Sequence, residues 1–152
     1  MKYDRYEFIV GESFMLYEFE SDGPKGKVLK LIEYTETELK GFYNLGFGDK
    51  DHNTGKINDT IVTNNGDSQK ILLTVASSVY KFTDKYPNSW IYAIGSTKAR
   101  TRLYRMGIAN NLTLILQDFE IHGLGNNSWL KFEKDVDYEA FLIRRKISKF
   151  VL

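Results

Sequence analysis

The sequence predicts an α+β fold in which a single mixed, mostly antiparallel sheet carries two main helices. Three observations indicate this class. Apolar and polar residues alternate in the N-terminal third, as in half-exposed strands. An apolar stripe of helical period follows between residues 67 and 86, and a short apolar run then leads into a strongly basic helical segment. The predicted order is β-β-β-β-α-β-α-β-β, and residues 1–152 are expected to form one domain.

Composition excludes several classes of protein. The 152 residues have a formal net charge of +1, so any attraction to an anionic partner has to come from a local patch. The chain has no cysteine, which excludes disulfides, thiolate metal ligands and a cysteine nucleophile. No stretch approaches the roughly 18 apolar residues of a membrane span, and the opening MKYDRYEFIV lacks the apolar core of a signal peptide. The expected location is therefore cytoplasmic.

The N-terminal third predicts strands joined by short turns. The four predicted strands span Arg5–Val10, Phe14–Glu20, Lys27–Tyr34 and Leu39–Phe47. Ser21–Gly26, SDGPKG, is dense in turn residues and indicates a hairpin between the second and third strands. A phosphate-binding loop is the alternative, but the Gly-Lys-Ser/Thr ending of such loops is missing, so a turn is favoured.

A polar loop after the fourth strand imitates part of a calcium site. Asp49, Asp51 and Asn53 occupy the first, third and fifth ligand positions of a calcium-binding loop, and His52 adds a nitrogen donor. The sixth and twelfth positions are threonines rather than glycine and glutamate, and the flanking segments do not have a helical pattern. The loop is therefore interpreted as solvated, and no metal is expected.

A core-packing helix follows this loop. It begins at Asp67 or Ser68 and runs to Lys85 or Tyr86, because the residue before Pro87 is biased away from helical geometry. Its apolar stripe consists of Ile71, Leu72, Val75, Ala76, Val79 and Phe82. The helix is expected to pack on the sheet without any cofactor.

A strand, a turn and a basic helix come next. Trp90–Ile94 is apolar without alternation, as in a strand covered on both faces. Gly95 breaks the run, and the hydroxyl of Ser96 or Thr97 is expected to cap a helix that ends near Gly107. The helix N-terminus adds backbone N–H groups and a positive dipole end, which favour an anion.

Two faces of this basic helix are predicted from its spacing. The expected core face consists of Ala99, Leu103 and Met106. The expected cationic face consists of Lys98, Arg102 and Arg105, supplemented by Arg100. No Asp or Glu occurs from Lys85 to Gln117, so a counter-charge has to come from elsewhere in the fold or from a ligand. The predicted ligand-binding residues are Gly95, Ser96, Thr97, Lys98, Arg100, Arg102 and Arg105. The alternative is a basic face that is solvated or paired with distant carboxylates.

The C-terminal part is expected to complete the sheet. Leu112–Ile121 alternates and predicts a long strand. Trp129–Phe132 and Tyr138–Arg145 give the last strands, although the latter also fits a short helix.

Five blocks together resemble a family of small, uncharacterised bacterial proteins. They are KYDRYEF near the start, GPKGK at Gly23–Lys27, NLGFGD at Asn44–Asp49, GSTKARTRLYRMGI at Gly95–Ile108 and YEAFLIRRK at Tyr138–Lys146. This resemblance covers nearly the whole chain and implies no assigned activity.

A second resemblance covers Asp67–Lys146 and implies chemistry. The order of helix, strand, basic helix and two strands resembles the core of GCN5-related N-acetyltransferases. The helix pattern N-x-x-A-x-x-x-Y-x-x-x-G-F of that superfamily falls on Ser96, Ala99, Leu103, Gly107 and Ile108. The alanine and glycine match, whereas the tyrosine lies one position later, so the resemblance implies Tyr104 as the general acid. The pyrophosphate loop would lie in Asn64–Lys70, which implies a secondary anion site at Gly66, Ser68, Gln69 and Lys70.

Three functions follow from these observations. The first is a non-catalytic binding or accessory protein that holds an anionic partner, such as a nucleotide, a nucleic acid or an acidic protein face, on the turn and basic helix. The second is an acetyltransferase-like enzyme that uses acyl-coenzyme A. The third is a protein-interaction component of a bacterial operon. Only the second requires a cofactor, namely coenzyme A.

Overall fold

The computed structural model describes residues 4–58, 63–95 and 97–146. The strands in these ranges are β1 (Ile9–Val10), β2 (Leu16–Gly23), β3 (Gly26–Glu36), β4 (Phe42–Asp49), β5 (Trp90–Ala93), β6 (Phe119–Gly125), β7 (Ser128–Lys131) and β8 (Ala140–Arg145). The helices are α1 (Ser68–Lys85), α2 (Lys98–Asn110) and α3 (Leu112–Asp118). The strands form one mixed sheet in the order β1-β2-β3-β4-β5-β8-β6-β7, which confirms the predicted α+β class. None of the helices in the described ranges is long and apolar enough to cross a membrane.

The contacts of the chain group into two compact units. The first unit comprises Met1–Thr35 and Leu45–Phe82, and the second comprises Glu36–Asn44 and Thr83–Leu152. Most of α1 therefore belongs to the first unit, whereas α2, α3 and the last four strands belong to the second.

The core of the first unit is aromatic. The ring of Tyr34 on β3 stacks on Phe82 of α1 with centroids 4.1 Å apart, and its hydroxyl lies 2.8 Å from the Oγ of Ser78. Tyr17 on β2 is fully buried and meets the Tyr34 ring edge-on. Of the predicted apolar stripe of α1, Ile71, Val75, Val79 and Phe82 are buried, whereas Leu72 and Ala76 are half-buried. The helix ends before Pro87 as predicted.

The predicted turn between β2 and β3 is confirmed, and a distant asparagine completes it. Asn65 is 1% exposed, and its Oδ1 accepts from the backbone N–H of Lys25 at 2.7 Å. Its Nδ2 donates to the carbonyl of Gly26 at 2.8 Å and to the Oγ of Ser21 at 3.2 Å. A Cβ on Gly23 would lie 2.1 Å from the carbonyl oxygen of Asn65, so only glycine fits there. Asn65 thus provides partners for the backbone N–H of Lys25 and the carbonyl of Gly26.

The second unit is an antiparallel arrangement in which β8 lies between β5 and β6. Its buried apolar residues include Ile91, Ala93, Phe119, Ile121 and Phe141. The segment Tyr138–Arg145 contains the strand β8 rather than a short helix. A Cβ on Gly123 would lie 2.3 Å from the ring of Tyr138, so this glycine lets the ring pack directly on β6.

The long strand predicted over Leu112–Ile121 is wrong for its first seven residues, which form α3. The half-buried residues Leu112, Ile115 and Leu116 have the spacing i, i+3, i+4, which is helical. Thr113, Leu114 and Gln117 are exposed. The apolar residues of this segment therefore fit both the period of a strand and that of a helix. The observed element order contains a short helix, α3, before β6.

The first predicted strand is also shorter than expected. Only Ile9 and Val10 of Arg5–Val10 pair with β2. The backbone N–H of Tyr6 instead donates to the Oγ1 of Thr74 on α1 at 2.9 Å, which draws this part of the chain away from the strand pairing.

Candidate anion-binding cleft

The turn from β5 into α2 combines two hydrogen bonds with a close backbone approach that only a glycine permits. The backbone N–H of Gly95 donates to the Oγ1 of Thr101 at 3.0 Å, and the Oγ1 of Thr97 accepts from the backbone N–H of Arg100 at 3.1 Å. Thr97 is thus the N-cap, as predicted for Ser96 or Thr97, while Ser96 lies outside the described residues. A Cβ on Gly95 would lie 2.3 Å from the backbone nitrogen of Thr101. The start of α2 therefore packs directly against the end of β5.

This turn also determines which amides at the start of α2 have protein partners. The N–H of Arg100 is used by the cap, and that of Thr101 donates to the carbonyl of Thr97 at 3.0 Å. The first turn of a helix leaves its early N–H groups without intrahelical partners, and Lys98 and Ala99 occupy these positions in α2.

The predicted core face of α2 is wrong. That face was expected to consist of Ala99, Leu103 and Met106, yet Ala99 is exposed, Leu103 is half-buried and Met106 is 45% exposed. The buried residues are Thr101, Tyr104 and Gly107. The bond from Gly95 pulls Thr101 inward and rotates the helix accordingly. Gly107 lies inside α2 instead of ending it, since the helix continues to Asn110.

The expected cationic face lines an open cleft of about 760 Å³, here called the α2 cleft. Its lining residues are Ile94, Gly95, Thr97, Lys98, Thr101, Arg102, Arg105, Gly125, Asn126, Leu130, Val136, Asp137, Tyr138 and Glu139. The structure thus brings together five of the seven predicted ligand-binding residues. Lys98 and Arg102 are exposed and have no counter-ion within the described parts of the chain.

Arg105, the third cation of the α2 cleft, forms an ion pair with a carboxylate that is distant in sequence. Its Nε lies 3.4 Å from the Oδ1 of Asp137. The arginine side chain is 16% exposed, whereas that of the aspartate is 97% exposed. Arg105 thus pairs with a carboxylate that is distant in sequence, whereas the described residues provide no such partner for Lys98 or Arg102.

Arg100 and Tyr104 form a separate pair that does not line the α2 cleft. Tyr104 is 9% exposed, and this burial raises the pKa of its phenol above the ordinary value of 10.0. The Arg100 guanidinium hydrogen-bonds the hydroxyl and opposes the rise, because it favours the phenolate. The general-acid role of Tyr104 stays a prediction, since this residue is not part of the described cleft lining.

The predicted secondary anion site consists of Gly66, Ser68, Gln69 and Lys70. Asp67 stands at the start of α1, and its Oδ2 accepts from the hydroxyls of Tyr6 and Ser21, each at 2.5 Å. The ammonium of Lys70 lies 3.5 Å from a carboxylate oxygen of Asp4 and 4.3 Å from the centre of the Tyr6 ring. A phosphate at this helix end would meet the Asp67 carboxylate, so the site stays a prediction without geometric support.

The calcium-like loop uses its carboxylates for protein contacts. Asp49 is 6% exposed, pairs with the buried ammonium of Lys30 and accepts from the backbone N–H of Thr63 at 3.0 Å. The Oδ1 of Asp51 accepts from the backbone N–H of Asn53 at 2.8 Å. Within the described ranges, no three His, Cys, Asp or Glu residues are grouped as a metal site would need.

Sequence reasoning missed the wall of the α2 cleft opposite the helix. This wall includes Asp137, Tyr138 and Glu139, which precede β8. The acidic run Glu133–Glu139, EKDVDYE, is the signal that could have supplied the missing counter-charge. Its pairing with a helix some thirty residues earlier depends on strand order, which one sequence does not reveal.

Comparison with known proteins gives a family without an activity. A family model described as a family of unknown function, DUF6934, matches residues 2–146. No curated protein and no solved structure matches the chain.

Proposed function

The chain belongs to the DUF6934 family of unknown function, and from its own geometry we propose that it is a non-catalytic protein that binds an anionic ligand in the α2 cleft. The observation that carries this proposal is a cleft of about 760 Å³ lined by two cations, Lys98 and Arg102, for which the described residues provide no counter-ion. Ligand pockets span roughly 300–1,000 Å³, so the cleft accommodates a small organic molecule.

The electrostatics of α2 support an anion over a neutral ligand. The N-terminal dipole of a helix and its early N–H groups attract negative charge. No acidic residue in the first turn offsets this. Lys98 lies in that first turn, and Arg102 follows on the same face one turn later. Charge-assisted hydrogen bonds from such groups are stronger than those between neutral groups.

The test is a titration of isotopically labelled protein with inorganic phosphate and pyrophosphate, followed through backbone amide signals. Saturable shifts are expected at Gly95 and through the first turn of α2. The variant Lys98→Glu/Arg102→Glu should bind about 100-fold more weakly or not at all, because two charged donors are replaced by carboxylates. Affinity should also fall with added salt, because both side chains are exposed.

A matched control separates local contacts from net charge. Lys25→Glu/Lys56→Glu changes two exposed lysines of the first unit and alters the formal charge by the same amount. This control should bind like the wild type. Equal loss in both double variants, or no saturable shift for either anion, would contradict the proposal.

Acyl transfer from coenzyme A is a second candidate, favoured by the succession of α1, β5 and α2, which follows the order expected from the acetyltransferase resemblance. Coenzyme A carries phosphate groups and belongs in the same titration. Tyr104→Phe should abolish turnover only if the buried hydroxyl reaches the substrate. Absence of amide shifts at millimolar coenzyme A would reject this candidate and leave the first intact.

A further inference from the structure

The ion pair between Arg105 and Asp137 is loose. The distance from Nε of Arg105 to Oδ1 of Asp137 is 3.4 Å, which is longer than a charge-assisted hydrogen bond. The guanidinium has no other protein acceptor in the described ranges. An arginine placed to hold a carboxylate presents two parallel N–H groups at shorter range. Arg105 thus lines the α2 cleft with a loosely held counter-ion.

The three cations of the α2 cleft are spread along the helix. Lys98, Arg102 and Arg105 lie at i, i+4 and i+7, which places their Cα atoms about 6 Å and 10 Å apart along the axis. A single carboxylate carries one negative charge against these three positive charges. Two or more linked phosphoryl groups match this spread.

The cleft also has an apolar part. Ile94 is 45% exposed and Leu130 is 50% exposed, and both line the cleft together with Val136. Exposed apolar side chains beside a row of cations suit a ligand with a ring or alkyl portion attached to its phosphates.

We propose that the ligand is an organic phosphate with at least two phosphoryl groups, and that it displaces Asp137 from Arg105. This inference rests on the proposed function of the α2 cleft. Asp137 then acts as a tethered counter-ion that neutralises Arg105 in the empty protein and competes with the ligand. Like charges a few ångström apart repel, so the carboxylate weakens ligand binding while it stays in place.

The flanks of Asp137 are held, so its side chain can leave without loss of the cleft wall. The hydroxyl of Tyr138 accepts from the backbone N–H of Glu133 at 2.9 Å. The backbone N–H of Glu139 donates to the carbonyl of Leu124 at 2.8 Å. A substitution of the exposed carboxylate therefore changes charge without removing these anchors.

The experiment compares Asp137→Asn with the wild type and with Asp135→Asn. Asp135 lies on the same segment, is exposed and has a φ of 64°, a conformation that asparagine tolerates well. Calorimetry measures binding of pyrophosphate, orthophosphate and adenosine diphosphate. Asp137→Asn should bind pyrophosphate about 3- to 10-fold more tightly than the wild type. An exposed ion pair changes an equilibrium constant by up to roughly a factor of five, and removal of the repulsion between Asp137 and the ligand adds to this gain. Asp135→Asn should bind less than about 2-fold more tightly.

The outcomes separate the two proposals. If the wild type binds pyrophosphate and Lys98→Glu/Arg102→Glu does not, but Asp137→Asn gives no gain, only the counter-ion inference is overturned. An equal gain for Asp135→Asn overturns it as well. Orthophosphate binding as tight as pyrophosphate overturns the assignment of ligand class. Absence of binding by every variant overturns both the inference and the proposed function.

Discussion

Gly95→Ala tests whether the tight turn between β5 and α2 determines both the stability of the second unit and the geometry of the α2 cleft. The added Cβ would lie 2.3 Å from the backbone nitrogen of Thr101 and 2.7 Å from the Cβ of Arg100, whereas real Cβ contacts stay beyond 3.0 Å. Both neighbours belong to the first turn of α2, so relief requires that the helix start moves away from the strand.

The expected cost follows from two losses. Overpacking of this kind costs roughly 1–3 kcal/mol. Loss of the hydrogen bond from Gly95 to Thr101, 3.0 Å long in the native turn, adds about 1 kcal/mol. The free energy of unfolding should therefore fall by about 2–4 kcal/mol, which corresponds to a decrease in Tm of roughly 5–15 °C. Pyrophosphate affinity should fall too, because the cap and Lys98 move with the helix start.

The assay is urea unfolding followed by fluorescence, with Gly11→Ala as the matched control. The nearest atom to a Cβ on Gly11 is 3.5 Å away, which is an ordinary contact. The control should stay within about 0.5 kcal/mol of the wild type. A Gly95→Ala protein of wild-type stability would refute the reasoning, because the turn would then have room that the geometry does not show.

Two further predictions concern buried titratable groups. Asp49→Asn leaves the ammonium of Lys30, which is 1% exposed, without its carboxylate and should lower the free energy of unfolding by about 3–5 kcal/mol. Asp51→Asn keeps its loop hydrogen bonds and should change it by less than about 0.5 kcal/mol, so equal losses in urea unfolding would contradict this account. The pKa of Tyr104 is raised, so the folded state holds the phenol proton more tightly than the unfolded state. The resulting contribution to stability is fully present below pH 10.0. It is lost as the pH rises through the pKa of the folded state. Tyr104→Phe should flatten the fall in unfolding free energy above that pH, and an unchanged slope would exclude this tyrosine as a cause.

The sequence predicted the sheet, the helix α1 and the cationic lining of the α2 cleft because each has a local signal. The strands alternate, Pro87 ends α1, and the spacing of Lys98, Arg102 and Arg105 places them on one side of a helix. These features need no knowledge of what packs against them.

The burial of α2 could not be predicted in the same way. Hydrophobicity favoured Met106 as a core residue, yet Thr101 and Tyr104 are buried in its place. Thr101 is turned inward by a bond to Gly95, and Tyr104 is accompanied by the guanidinium of Arg100. Both partners satisfy polar atoms that a hydrophobicity pattern treats as exposed. The contact between Asp137 and Arg105 of α2 could not be predicted either, because it depends on the tertiary fold and not on a local sequence pattern.

The buried amide of Asn65 has a consequence for how the first unit opens. It is separated by 40 positions from Lys25, whose backbone N–H it binds, and it lies shortly before Ser68, where α1 begins. The tip of the β2–β3 hairpin cannot fray alone, because release of that N–H requires Asn65 to leave its place. Native-state hydrogen exchange at Lys25 should therefore follow the slow, shared opening of the residues around Asn65 and not the fast local opening usual for a hairpin tip. Fast exchange at Lys25 would show that the tip opens independently.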